Sequence, residues 1–223
     1  IYGAILLAIC SIGILIYFIH HVPETINVGN ITASVGRGLQ QMLEDGAFPS
    51  QEGTAATMGS IGTHEGCIAS EQTGYVARIE MVGLIELARG RGITMELCCR
   101  PGDFVAVGDP IARLPPDAAD HAAFRAMVRE CVAIGRERTS EQNCLFLIDE
   151  LVEILARALS PGVNDPFTAI GCIHWLRAGI SRVLDREDPD PLRSDVSGEA
   201  RVSAPTVTFE ILVEHALGAA IQY

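Results

Sequence analysis

Residues 100–113 read Arg-Pro-Gly-Asp-Phe-Val-Ala-Val-Gly-Asp-Pro-Ile-Ala-Arg, RPGDFVAVGDPIAR. Two Gly-Asp pairs, at 102–103 and 108–109, flank short apolar runs, the punctuation of tight turns between short strands. Moving outward, residues 75–80 (YVARIE) and 93–97 (ITMEL) alternate apolar and polar side chains, as half-buried strands do. The intervening MVGLIELARGRG, residues 81–92, predicts a short helix stopped by Gly90 or Gly92. The fold class expected is therefore α+β, provided helices flank this stretch.

Residues 66–115, with GDFV and GDPIA between Gly turns, resemble the barrel-sandwich modules of biotinyl and lipoyl domains. That resemblance implies a compact β module but no swinging arm, because all 16 basic residues are Arg and none is Lys. The absence of Lys also excludes a Walker-A lysine and a Schiff-base lysine. The module is expected to act as a rigid connector or docking surface, or as a plain spacer.

The net charge of -12, from 28 acidic against 16 basic residues, argues against nucleic acid as a partner, since phosphate neutralisation needs basic surface. Seven cysteines (10, 67, 98, 99, 131, 144 and 172) show neither a C-x-x-C pair nor matched His spacing. They read as reduced packing residues in a reducing compartment, with no metal site and no cofactor expected.

Residues 1–19, IYGAILLAICSIGILIYFI, carry no charge and have Ser11 as their one strongly polar side chain. At helical rise they would extend about 28 Å, near the ~30 Å hydrocarbon core, so a transmembrane helix is expected there. The chain opens inside this run, so further membrane helices are expected before it. Ile31, Val35, Leu39 and Met42 predict an amphipathic juxtamembrane helix, and residues 46–63, rich in Gly, Ser, Thr and Ala, a linker. The expected organisation is membrane and juxtamembrane helices over 1–45, linker 46–63, barrel-sandwich-like β module 64–116 and an α-helical domain 117–223.

Within that last part, residues 117–136 predict one amphipathic helix, and Thr139-Ser-Glu-Gln142 fits a capping box opening the next. Ser160-Pro-Gly162 stops that helix, and Asp165-Pro166 supplies an N-cap and an N1 proline for another. This corner is either a structural turn or a polar site, since a helix N-terminus offers free N–H groups to an anion. Glu137, Arg138, Glu153, Arg157, Asn164, Asp165 and Thr168 are the candidate ligand or interaction residues; no catalytic residue is assigned. His174 and His215 read as packing histidines, and residues 185–200 as a solvated acidic loop.

YFIHHV, RPGDFVAVGDPIARL, GRERTSEQN and EILARALSPGVNDPFTAI, in this order, resemble the bacterial predicted membrane proteins of the domain of unknown function 2254. The resemblance implies more transmembrane helices and a soluble region, and no known activity. Two functions follow as expectations. The first is non-enzymatic: an oligomeric channel, transport or sensory component of the bacterial inner (plasma) membrane, with a cytoplasmic regulatory domain. Its expected partners are the lipid bilayer, further copies of itself and an unknown small ligand or ion. The alternative is a membrane-anchored enzyme or anion-binding module built on the acidic/Arg/Asn helix corner.

Overall fold

The computed structural model describes residues 2–25, 28–47, 66–119 and 121–218. Helix α1 (Tyr2–Thr25) leads into α2 (Val28–Met42) and a single π-turn, Leu43–Ala47. Then come β1 (Gly66–Ala69), β2 (Gly74–Ile79), α3 (Met81–Arg91), β3 (Met95–Leu97), β4 (Phe104–Val105) and β5 (Pro110–Leu114). Helices α4 (Pro116–Ala119) and α5 (Ala122–Glu130), strand β6 (Val132–Gly135), α6 (Cys144–Leu159) and α7 (Pro166–Ile180) follow. Strands β7 (Leu192–Ser194) and β8 (Ala200–Ser203) and helix α8 (Phe209–Gly218) complete the order.

The two Gly-Asp turns form as the sequence demands. Gly102 and Gly108 adopt φ of 96° and 98°, which a side chain resists. Each following Asp then stitches its own turn: Asp103 accepts from the Arg100 N–H at 2.9 Å and Asp109 from the Ala106 N–H at 2.8 Å. Strand β5 thereby returns antiparallel to both β1 and β3.

The α+β class stands, but two parts of the expected architecture are corrected. First, among the described residues no helix is long and apolar enough to cross a membrane, which overturns the membrane-spanning reading of residues 1–19. Helix α1 nevertheless leaves its large apolar side chains exposed, among them Leu7 at 73% and Phe18 at 60%. Second, the described strands close no barrel. The strands form two open sheets, β1-β5-β3-β8-β7 and β4-β2-β6. Closure of the 66–115 segment on itself is pre-empted, because β6 takes the edge of β2 and β8 takes the edge of β3.

Residues 117–136 are therefore not one helix. Helix α5 ends at Glu130 and the chain turns into β6, where Val132 and Ile134 suit a strand and pair with Ile79 and Val76. The capping box does not form either. Gln142 brackets the Ile79 backbone instead, its Oε1 accepting from the N–H at 2.9 Å and its Nε2 donating to the carbonyl at 3.4 Å. Helix α6 instead takes Asn143, four residues after Thr139, as its N-cap, with Oδ1 accepting from Phe146 N–H at 3.1 Å.

Two hydrophobic layers result. One lies against the sheets, with Leu84, Met95, Ile111, Leu114, Phe124 and Val128 buried. The other joins α2, α6, α7 and α8 through Leu39, Ile148, Leu151, Leu176 and Leu212. Helix α2 meets α7 at a glycine notch: a Cβ on Gly36 would lie 2.4 Å from Cδ2 of Trp175. A reciprocal notch sets Gly179 of α7 against Leu39 of α2. An Arg182–Glu44 ion pair at 3.2 Å ties the end of α7 to the π-turn. The expected linker, residues 46–63, lies outside the described residues from 48 onward. The acidic segment 185–200 is not simply solvated, since it contributes β7 and a buried Asp195 that pairs with Arg201 at 2.8 Å.

Candidate functional site

Helix α6 carries Asp149, Glu153 and Arg157 at four-residue spacing, so their side chains follow one another along one face. The loop after β6 lays Arg138 across that face. Its guanidinium contacts Asp149 Oδ2 at 2.7 Å and sits 5.2 Å over the Phe146 ring. From α8, His215 places Nδ1 3.2 Å from the other oxygen of Asp149. Asp149 is thus the node joining a loop, α6 and α8.

An open groove of about 590 Å3 runs from this node along α6, lined by Arg138, Asp149, Glu153, Arg157 and Ser160. Glu153 and Arg157 form an exposed i,i+4 ion pair, worth only ~0.2–0.5 kcal/mol at such a site. Burial, then the neighbouring Glu153 charge, pushes the Glu150 carboxyl upward.

The corner beyond the groove is spent on its own backbone. Asn164 sits at φ 47°, and its N–H donates to the Ser160 carbonyl at 2.9 Å. Asp165 caps α7, accepting from the Thr168 N–H at 3.2 Å and from its hydroxyl at 2.6 Å. The Thr168 hydroxyl first, and its N–H second, hold the Asp165 carboxyl below the usual range. Asp165→Ala is expected to lower the urea midpoint, while Asp165→Asn stays near wild type because its amide oxygen still accepts from the Thr168 N–H and its amide nitrogen can donate to the Thr168 hydroxyl. Equal midpoints for the two variants would remove the capping account.

Of the seven candidate residues, the structure thus gathers Arg138, Glu153 and Arg157 along one groove. It commits Asn164, Asp165 and Thr168 to the turn and cap, and leaves Glu137 exposed on the loop. Asp149, His215 and Asn143 were missed. The first two meet across 66 residues, which no local pattern announces, whereas Asn143 is a favoured N-cap residue and was legible as one. His174 is exposed rather than packed.

The cysteines are free. Cys99, Cys144 and Cys172 are buried, whereas Cys10 and Cys67 are exposed and so depart from the packing expectation. Burial pushes the Cys99 thiol up to about 12 and that of Cys144 to about 11, so neither supplies a thiolate at neutral pH. Among the described residues no group of three or more His, Cys, Asp or Glu is placed to hold a metal.

Fold and site together define an α+β protein with an exposed apolar leading helix and a polar seam across its helical layer. The chain belongs to the family described as predicted membrane protein, domain of unknown function 2254, whose model matches residues 1–223. An uncharacterized protein of Mycobacterium bovis is 32% identical over 214 residues, covering 93% of this chain and 41% of that protein. Uncharacterized proteins from two strains of Mycobacterium tuberculosis match over the same shares, at 32% and 31% identity. The chain therefore spans about two-fifths of the length of the curated relatives it matches. No solved structure matches it.

Proposed function

We propose that this chain is the regulatory or sensory portion of a homo-oligomeric membrane channel or transport component, facing the cytoplasm from the bacterial inner membrane. The observation that supports it most is the double glycine notch between α2 and α7. Helix α2 begins at Val28, after the apolar α1 ends at Thr25, and a rigid indole seated on Gly36 leaves it little freedom to slide on α7. A displacement of α1 would then pass through α2 into the helical layer. The same helix lines a cavity of about 640 Å3, in which Gly38, Gln41 and Met42 face Ile79, Leu97 and Ala204 of the sheet side. A ligand there would bear on α2 and on the sheets at once.

Membership of a predicted-membrane-protein family supports the membrane setting, and the engagement of both Asp149 oxygens, one by Arg138 and one by His215, favours regulation over catalysis at the node. The full-length protein, purified in detergent and reconstituted in liposomes, is expected to have an oligomeric mass and to pass ions or small solutes. A monomeric mass with electrically and osmotically silent liposomes would overturn this reading.

A further inference from the structure

The geometry points to a second cavity, of about 330 Å3 between the 100–104 turn and the start of α6, as a binding site for a small oxyanion-bearing molecule. It shares Arg138 and Asp149 with the groove, and Tyr75, Phe104 and Leu145 give it an apolar wall. Tyr75 and Phe104 pack edge to face with ring centres 5.1 Å apart. The volume is at the lower end of the range for small-molecule sites and far exceeds that of one water.

What selects an anion is the accounting of donors and acceptors in the polar wall. Both oxygens of Asp149 are used, one by Arg138 and one by His215. Both oxygens of Asp103 are used by Arg100, from its N–H at 2.9 Å and its Nε at 3.4 Å. In this wall two buried donors have no partner among the described residues, Nδ2 of Asn143 and Nε of Arg138. Asn143 is only 4% exposed. Its orientation is fixed, because Oδ1 must accept from Phe146 N–H to cap α6. Nδ2 consequently points into the hollow of the turn, 1.9 Å from where a Cβ on Gly102 would stand. Gly102 both makes the turn and keeps that space open for the amide.

A wall whose two carboxylates are engaged and whose amide and guanidinium donors are left over is complementary to acceptor-rich ligands, and Arg138 and Arg100 favour those carrying negative charge. The shared chemistry is an oxyanion, such as a phosphate group, on a small organic body. A free phosphomonoester and a lipid headgroup both present it. The inference does not rest on the channel or transport reading, since binding is measured without flux.

The test titrates detergent-purified full-length protein with glycerol phosphate by calorimetry, and separately measures co-flotation with phosphatidic acid or phosphatidylcholine vesicles. Asn143→Ser keeps a capping oxygen and removes the Nδ2 donor. Arg138→Lys keeps the charge beside Asp149 and removes Nε. Each is expected to weaken binding roughly tenfold or more, the scale of one charge-assisted hydrogen bond, with Arg177→Gln, exposed on α7, unchanged. Calorimetric binding identifies a soluble ligand; phosphatidic-acid-selective flotation without it identifies a headgroup, and both support the site. If Asn143→Ser does not fold, Arg138→Lys carries the test. Failure of both probes to bind, or binding indifferent to these substitutions, overturns the proposal.

Discussion

Gly36→Val is expected to destabilise the protein by about 3 kcal/mol, at the upper end of the usual cost of overpacking a core. Even the first added carbon would lie 2.4 Å from Cδ2 and 2.5 Å from Cγ and Cε3 of Trp175. An indole cannot yield as the tip of a leucine can, so α2 and α7 must move apart. The opposing effect, the better helix propensity of a non-glycine residue, is worth about 1 kcal/mol or less and does not cancel it. Gly179→Ala meets Leu39 Cδ2 at 2.8 Å, a more mobile neighbour, and is expected to cost less. Trp175 is the chain's one tryptophan, so its emission reports this contact directly. Urea unfolding of Gly36→Val should show a lower midpoint and a shifted native spectrum. Trp175→Leu in the same chain should recover part of the loss. A wild-type midpoint and spectrum in Gly36→Val would show that the two helices do not meet at this notch.

Arg201→Met is expected to cost about 3 kcal/mol, the low end for removing one partner of a buried ion pair. The side chains of Arg201 and Asp195 are 9% and 2% exposed, and Nε meets Oδ2 at 2.8 Å. The low end applies because Asp195 keeps other donors: the Ser197 hydroxyl, the Ser197 N–H at 2.8 Å and the Glu199 N–H at 3.3 Å. The Ser197 hydroxyl first, and Arg201 second, hold the Asp195 carboxyl well below the usual range. A carboxyl depressed on folding adds stability that is full above its unfolded value, near pH 4, and is lost as pH falls further, because the unfolded chain takes up the proton first. Wild-type stability should therefore drop with acidification below about pH 4, and less steeply in Arg201→Met. Equal acid slopes in the two proteins would contradict this assignment.

Local chemistry was legible where the chain closes its contacts within a few residues. The Gly102 and Gly108 turns, the α3 stop and the Asp165-Pro166 start of α7 all appear as read. Distant partners defeated the local reading elsewhere. Val128, Cys131 and Ile134 keep helical spacing, yet Val132 and Ile134 are claimed by β2, and pairing with a preformed edge outweighs a weak helical preference. Thr139 and Gln142 match a capping signature, but their side chains bond to the Ala77 and Ile79 backbone more than sixty residues away. The candidate site divides in the same way. The Glu153–Arg157 pair was evident from spacing on one helix. The bond from His215 to Asp149 depends on α8 docking beside α6, and the cavity at Asn143 depends on the 100–104 turn meeting the α6 terminus.

Strand β8 lies parallel to β3, with Val202 beside Met95 and Ser203 beside Glu96. During synthesis the ribosome must therefore deliver everything through residue 203 before the larger sheet can be completed. Until then β3 offers a bare hydrogen-bonding edge on that side, open to any passing strand. Nascent chains arrested before β8 should accordingly be the species most prone to aggregate and most dependent on a chaperone, and the final zipping of β8 onto β3 a slow step of folding.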